Sequence, residues 1–373
     1  MTVRELELTD FRNYRKQRIS FSEGINILYG QNAQGKTNVL EALYIASTGK
    51  SHRTSNYHDL IRNGGCSFEI RLKCGADGRD NTIVIRYSRD RGRFLEINGI
   101  RRERISDVLG TLNIILFSPE TLEVVKGSPA ARRKFLDILL CQTDRQYLYE
   151  LKRYNQLVKN KSAALKKGKN EKKYEETLPV WNEHISQTGA KIAVMRMKAL
   201  KALDGYMKNE VSSITSGQEK SSLKYKTFCE IDENANEDFF REQLSETLKK
   251  GMDKEISISQ CIYGPHRDDF EILLNGLNSR QFCSQGQQRT LALSLIMAEL
   301  LYTEEIKGEK PVLLLDDVLS ELDSGRQEYL VKGLAEVQTV ITTTDDLPYS
   351  GLKVKDIRKF LVKEGTVTVT GNI

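Results

Sequence analysis

The chain has 373 residues, 39% of them hydrophobic and 29% charged, with a formal net charge of +6. At roughly 100–200 residues per domain this suggests about two domains, and the absence of any long Pro, Gly or Ser tract argues against large-scale disorder. No stretch approaches the ~18 consecutive apolar residues of a membrane span, and MTVRELELTDF lacks the apolar core of a signal peptide, so no membrane partner and a cytoplasmic location are expected. Six cysteines, at 66, 74, 141, 229, 261 and 283, include no CxxC pair, which argues for small buried hydrophobes rather than zinc ligands or disulfides.

Apolar residues alternate at Val3, Leu6 and Leu8 and again at Ile25, Ile27 and Tyr29, as strands require. Helical spacing follows in TNVLEALYIAS. Alternation returns from Phe68 to Ile97, where Asp77-Gly78 and SRDRG at 88–92 predict hairpin turns. Two series of helical spacing then run from Leu136 to Leu165, interrupted at Thr143 and Lys161, and from Trp181 to Tyr206. The polar KKGKNEKKYEETLP between them suits the connection of an antiparallel helical hairpin at about 130–210. Strand-like patterning resumes from Ser257 to Leu274, a helix follows to about Glu305, and VLLLDD reads as a buried parallel strand. The predicted fold is α/β: a discontinuous body of residues 1–120 and 255–373, with a mainly α-helical arm, residues 121–254, inserted between its halves.

Between Asp144 and Lys208 there are fifteen Lys or Arg against seven Asp or Glu, an excess of eight that exceeds the +6 of the whole chain. A positive segment on a near-neutral body points to a polyanion, with nucleic acid the first candidate. Lys152, Arg153, Lys166, Lys167 and Lys169 in this arm, with Arg86, Arg89, Arg91 and Arg93 of the hairpin RYSRDRGRFLEI, are the candidate DNA contacts. The competing reading is a solvated outer face.

Gly30-Gln31-Asn32-Ala33-Gln34-Gly35-Lys36-Thr37 matches the phosphate-loop pattern GxxxxGK[ST] between a predicted strand and a predicted helix. Such a loop aims backbone N–H groups at phosphate oxygens at a helix start, with Asn38 next in the opening turn. Lys36 would face the β- and γ-phosphates of ATP and Thr37 would offer its hydroxyl to Mg2+. At the end of VLLLDD, Asp316 is assigned to the magnesium shell and Asp317 to orienting or deprotonating the attacking water. Ser284-Gln285-Gly286-Gln287-Gln288 precedes an apolar helix just upstream of that strand, where ABC ATPases carry their signature. Ser320 and Asp323 stand where they carry the D-loop. Ser284 and Gln287 also fit a capping box. One phosphate loop and one signature per chain leave each site half-built, so a homodimer formed with ATP is expected.

Beside these motifs the chain contains Asp10-Phe11-Arg12-Asn13-Tyr14, Lys50-Ser51-His52-Arg53-Thr54, Phe117-Ser118-Pro119-Glu120, Lys126-Gly127-Ser128-Pro129, Gly264-Pro265-His266-Arg267-Asp268-Asp269 and SQGQQRT from Ser284. In this set, over nearly its whole length, it resembles the RecF family of bacterial recombination mediators, short relatives of the SMC proteins. The resemblance implies an ABC-type ATPase head (a P-loop NTPase) with an inserted helical arm, and slow ATP hydrolysis coupled to DNA binding. It also implies loading of RecA with RecO and RecR as partners at gapped DNA or stalled forks, and a part in the SOS response. It further implies that Arg12, and with it His52 and Arg53, lies near the nucleotide, with surface structure an equal reading for each. Three features depart from transporter ATPases: Asp317 stands where a Glu is usual, Ile341-Thr342-Thr343-Thr344 lacks a switch histidine, and Phe117-Ser118-Pro119-Glu120 lacks a Q-loop glutamine. The alternatives are an SMC-like DNA clamp that uses ATP mainly to dimerise, and an ATPase subunit of a membrane transporter.

Overall fold

The computed structural model describes residues 1–167, 177–231, 235–334, 336–344 and 356–372. In chain order the first elements are β1 (Thr2–Phe11), β2 (Tyr14–Ser20), β3 (Ile25–Tyr29), α1 (Lys36–Thr48), β4 (Ser67–Ala76), β5 (Arg79–Ser88), β6 (Gly92–Ile97), β7 (Ile100–Arg102) and β8 (Ile114–Phe117). The short α2 (Leu122–Lys126) leads to α3 (Pro129–Thr143), α4 (Arg145–Lys167), α5 (Leu178–Ile214), β9 (Ser221–Lys226), α6 (Glu237–Lys250) and α7 (Met252–Ile258). β10 (Asp269–Leu274), β11 (Leu277–Asn278), α8 (Ser279–Phe282), α9 (Gln285–Lys307), β12 (Val312–Asp316), α10 (Ser324–Gly333), β13 (Thr339–Thr343), β14 (Ile357–Lys363) and β15 (Thr366–Asn372) complete the described chain.

The chain divides into two compact units, Met1–Leu122 with Arg289–Ile373, and Glu123–Gln288. In the first, an antiparallel sheet has the order β2-β1-β4-β5-β6-β7, and a second sheet has the order β15-β14-β3-β13-β12-β8. Asp77 and Gly78 both take positive φ, 53° and 65°, which matches the turn to the twist of β4 and β5. In the second sheet β3, β8, β12, β13 and β14 run parallel, and β12 and β13 are buried at every residue, so both faces must be apolar. α1 packs against both sheets, with Val39, Leu40, Leu43 and Ile45 fully buried. Because β3 and β12 are parallel and separated by a single strand, the loop after β3 and the carboxylates ending β12 emerge at the same sheet edge.

In the second unit α4 and α5 are antiparallel, since Tyr147 meets Arg196 and Glu150 meets Lys191. The interruption expected at Lys161 is absent: α4 runs through it, and Lys161 is fully buried against Glu255 of α7. A lysine on the apolar face of a helix reads as a break in the pattern until its partner is known. The strand patterning expected from Ser257 is also corrected, because a helical turn and an irregular stretch precede β10 at Asp269. The unit continues past residue 254 to Gln288 because β9, β10 and β11 form one antiparallel sheet. Of the cysteines, Cys74, Cys141 and Cys261 are buried, whereas Cys66 is exposed. No helix among the described residues is long and apolar enough to cross a membrane.

Candidate nucleotide-binding site

The loop after β3 takes a shape that side chains resist. Gly30 has φ 147°, and a Cβ there would lie 2.4 Å from the Val362 carbonyl oxygen; Gly35 has φ 119°, with Asn13 and Tyr14 under 3 Å from any added Cβ. Gly35 caps α1 without a side chain, so the cap residue itself offers no acceptor to the first N–H groups of the helix. The loop is braced from outside. Asn13 Nδ2 donates to the Gln34 carbonyl at 2.8 Å, Tyr14 Oη to the Gly35 carbonyl at 3.0 Å, and the Glu364 N–H to Gln34 Oε1 at 2.7 Å. Gln34 thus directs its side chain to the β14–β15 turn, and its backbone is what remains for a phosphate. Asn38 Nδ2 donates to Asn13 Oδ1 at 2.9 Å. Lys36 Nζ donates to the carbonyls of Gly30 and Gln31, which holds the ammonium over the loop's interior.

Thr37 Oγ1 donates to Asp316 Oδ1 at 2.9 Å, joining α1 to the end of β12 across 279 residues of sequence. Thr342 Oγ1 donates to the same oxygen at 2.8 Å and accepts from the Asp317 N–H at 2.9 Å. Thr342 carried no sequence signal, since a Thr in a parallel strand is ordinary and only the register of β12 against β13 places it beside Asp316. The shared contact separates the two aspartates: Asp316 is buried and held by two hydroxyls, whereas Asp317 is half-buried in left-handed backbone, φ 54°. Strain of that kind in a residue with a Cβ costs about 1–3 kcal/mol and collects at functional sites. A hydroxyl and a carboxylate converging at a phosphate loop are hard oxygen donors and suit Mg2+, which takes few protein ligands and completes its shell with phosphate and water. No cluster of three His, Cys, Asp or Glu suited to a metal occurs among the described residues.

Arg12 does not point freely into solvent. It forms a two-pronged pair with Glu41 at 2.8 and 2.7 Å and donates to the Asp59 carbonyl at 2.9 Å. Glu41, fully buried on α1, also accepts from Ser51 Oγ at 2.5 Å and lies 3.5 Å from Arg53, so it ties DFRNY and KSHRT to the helix of the phosphate loop. Sequence reading passed over Glu41, which looks like one more polar helix residue. Arg53 also donates to Asn38 Oδ1 at 3.0 Å. His52 packs edge-on to Tyr44 at 5.5 Å with both ring nitrogens buried and without hydrogen-bond partners, and burial pulls its pKa down.

Downstream, Ser320 Oγ donates to the Asp317 carbonyl at 2.8 Å. Asp323 caps α10 through the Arg326 N–H at 3.0 Å, and that bond, together with the Arg326 charge, holds its carboxyl below the usual range. In the second unit Ser284 and Gln287 form a reciprocal capping box at 2.9 and 3.3 Å at the start of α9, while Ser284 and Gln285 are exposed. Gln287 also donates to Glu219, and Gln288 to the Cys283 carbonyl. Gly286 lies in the first turn.

The candidate DNA contacts are not alike. Arg86 is paired with Glu69 and lies over Phe94 at 5.1 Å, and Arg93 lies over the Tyr57 ring at 4.2 Å. Arg89 is exposed, and Arg91 is 89% exposed beside Asp90. On α4, Arg153 and Lys166 are exposed and Lys152 is half-buried, while the Lys167 side chain and Lys169 lie outside the described residues.

Residues 2–354 match the RecF/RecN/SMC N terminal domain family. The chain is 40% identical over 370 residues to the DNA replication and repair protein RecF of Clostridium kluyveri, covering 99% of this chain and all of that one. The chain belongs to the RecF family. The RecF of Acetivibrio thermocellus is 37% identical, with 92% of this chain and 94% of the relative covered. The recombination mediator protein RecF solved with ATP, of the RecFOR pathway, superposes with a TM-score of 0.92 at 36% identity, covering 99% of this chain and 97% of that one. An Smc head bound to the C-terminal winged-helix domain of ScpA shares the fold, with a TM-score of 0.58 at 18% identity and coverage of 100% and 98%. The α/β fold is thus that of the ABC-type ATPase head common to RecF and SMC proteins, with a helical second unit between the halves of the head.

Proposed function

We propose that the chain is an ATP-dependent DNA-binding protein of replication and recombinational repair, a weak ATPase whose nucleotide joins two copies head to tail. The observation that carries this reading is the Thr37–Asp316–Thr342 contact, which brings phosphate-loop helix and strand carboxylate together as nucleotide hydrolysis requires. Lys36 would bind the terminal phosphates, and Thr37 with Asp316 would hold Mg2+. When bound, the metal supplies positive charge to the β- and γ-phosphate oxygens. Asp317, set apart by its own backbone conformation, orients water for attack on the γ-phosphorus, giving ADP and phosphate. Exposed Ser284 and Gln285 at the capped start of α9 would reach the γ-phosphate held by the other copy, the capping hydroxyl of Ser284 turning to it.

Relatives that are DNA replication and repair RecF proteins, and the RecF of the RecFOR pathway solved with ATP, support a part in repair with RecO and RecR as partners; on this reading the chain acts at gapped or stalled DNA, helps load RecA and feeds the SOS response. DNA would be held by exposed cations such as Arg89, Arg91, Arg153 and Lys166, with affinity falling steeply with salt. Light scattering of the chain with and without ATP and Mg2+ tests the arrangement: the mass should double with nucleotide. Ser284→Arg should stay monomeric while still binding ATP, and loss of both properties together would remove Ser284 from a site shared between copies.

A further inference from the structure

The three-stranded sheet of the second unit ends on β9. Lys220 and Asn275 exchange hydrogen bonds at its start, at 2.9 and 2.7 Å. Antiparallel pairing alternates from there, so Ser222, Lys224 and Lys226 turn their backbone groups towards β10, and Leu223, Tyr225 and Thr227 turn theirs away. The outward N–H of Leu223 donates to Asp204 Oδ1 of α5 at 2.7 Å, which marks where α5 meets this edge. Beyond that contact helix and strand separate, leaving a cleft of about 830 Å³.

Met197, Leu200, Phe228 and Ile231 give the cleft an apolar lining, continuous with the small core around Ala193 and Phe240. Its cations are Lys201, Lys224 and Lys226, and its acids are Asp204 and the exposed Glu230. Lys226 pairs with Glu271 at 3.4 Å, and Asp204 is taken up by Leu223 and Lys208. Lys201 and Lys224 are exposed and have no carboxylate partner among the described residues. The cleft therefore combines an open strand edge, an apolar wall and two lysines without carboxylate partners, against the one exposed acid Glu230.

We propose that this cleft binds an extended acidic segment of a partner protein, which adds to β9 as a fourth strand. Its backbone would pair with the outward groups of Tyr225 and Thr227, its carboxylates would meet Lys201 and Lys224, and an apolar side chain would enter between Met197 and Phe228. Duplex DNA fits less well. Phosphates gain nothing from an apolar wall or a strand edge, and a concave cleft with two unpaired lysines offers a duplex few contacts. The proposal is independent of the nucleotide site.

The test uses the full chain and a fluorescein-labelled peptide, Gly-Asp-Ile-Asp-Phe-Asp-Leu-Gly, followed by fluorescence anisotropy. The peptide should bind, and N-methylation of alternate amides along one edge should weaken it by at least about tenfold while methylation along the other edge has little effect, since one edge pairs with β9. Lys201→Glu with Lys224→Glu should cost at least about tenfold as well. Exchange of the Tyr225 and Thr227 amides should slow in the complex. No binding at about 1 mM peptide, a weak affinity by any standard, or equal binding of both N-methylated forms, overturns the proposal without reliance on any variant. Displacement of the peptide by a 20-base-pair duplex that the same double variant no longer binds would reassign the cleft to DNA.

Discussion

The two units use charge in opposite ways. In the head, charged and polar groups converge on a loop that must receive a ligand: Lys36 over backbone carbonyls, Thr37 and Thr342 on Asp316, and Arg12 and Ser51 on Glu41. In the second unit they satisfy one another inside the fold. Arg196, 2% exposed, donates to Tyr147, to the Pro265 carbonyl and to Asp137 and Asp268, while Tyr225 and Thr227 complete the shell of Asp268. GPHRDD is thus a structural knot, with His266 bridging Tyr154 and the Cys261 carbonyl at 2.7 and 3.0 Å. A count of basic residues cannot tell these uses apart: two of the fifteen in the arm's positive window, Lys161 and Arg196, are buried in ion pairs.

If the difference holds, substitutions at the phosphate loop and the aspartates of the head should change chemistry and leave stability, and substitutions at buried charges in the second unit should do the reverse. The largest effect is expected for Asp317→Asn, which should lower single-turnover ATP hydrolysis about 10²–10⁴-fold with nucleotide binding and melting temperature retained. Normal turnover would move the water-activating carboxylate elsewhere, with Asp323 the next candidate; failure to bind ATP would exchange the roles of the two aspartates. Lys161→Ala should destabilise the second unit by about 3–5 kcal/mol in urea titration, since it leaves Glu255 buried and unpaired, whereas Lys161→Met with Glu255→Met should come out near neutral. Equal losses in the single and double variants would show that packing, not charge, fills that site. Lys36→Ala should weaken ATP binding on the order of 10-fold to 100-fold by calorimetry with the fold intact.

The effects of pH give the comparison a sign. Burial pushes the Glu299 carboxyl of α9 up to about 8, so the folded state keeps a proton that the unfolded chain has already released. The stability it contributes is complete below about pH 4.5 and is lost as the pH rises through about 8, so Glu299→Gln should raise the melting temperature at pH 8 and leave it unchanged at pH 4. His266 behaves oppositely. Burial pulls it down to about 4 from 6.5, so the unfolded state takes the proton first and stability falls as the pH drops from about 6.5 towards 4. His266→Gln should flatten that fall, and an unchanged slope would assign the acid sensitivity to other groups.

The strands of the first hundred residues, the buried strand ending at Asp316, the phosphate loop and the two aspartates were legible in the sequence because each is written in neighbouring residues: alternation, a glycine pattern, an apolar run ending in carboxylates. The capping box of Ser284 and Gln287 was legible for the same reason. What escaped depends on distant partners. Thr342 matters only through strand register, Glu41 only because Arg12 and Ser51 arrive beside it, and Gln34 faces outward only because the β14–β15 turn waits there. Lys161 looked like a fault in a helix because Glu255, its reason for being there, lies 94 residues away.

The bracing of Gln34 also bears on how the protein is made. The phosphate loop is synthesised early, yet the Glu364 amide that holds it follows 330 residues later, and the Gln338 side chain that fastens Val3 is nearly as late. A ribosome would release most of the chain before these bonds could form. The nascent loop, rich in glycine and without its outer support, would sample many shapes, and nucleotide could select the right one only once the last strands had docked. Tight nucleotide binding would then report that β14 and β15 had docked, and a chain stalled before β14 would lack the Glu364 brace on its phosphate loop.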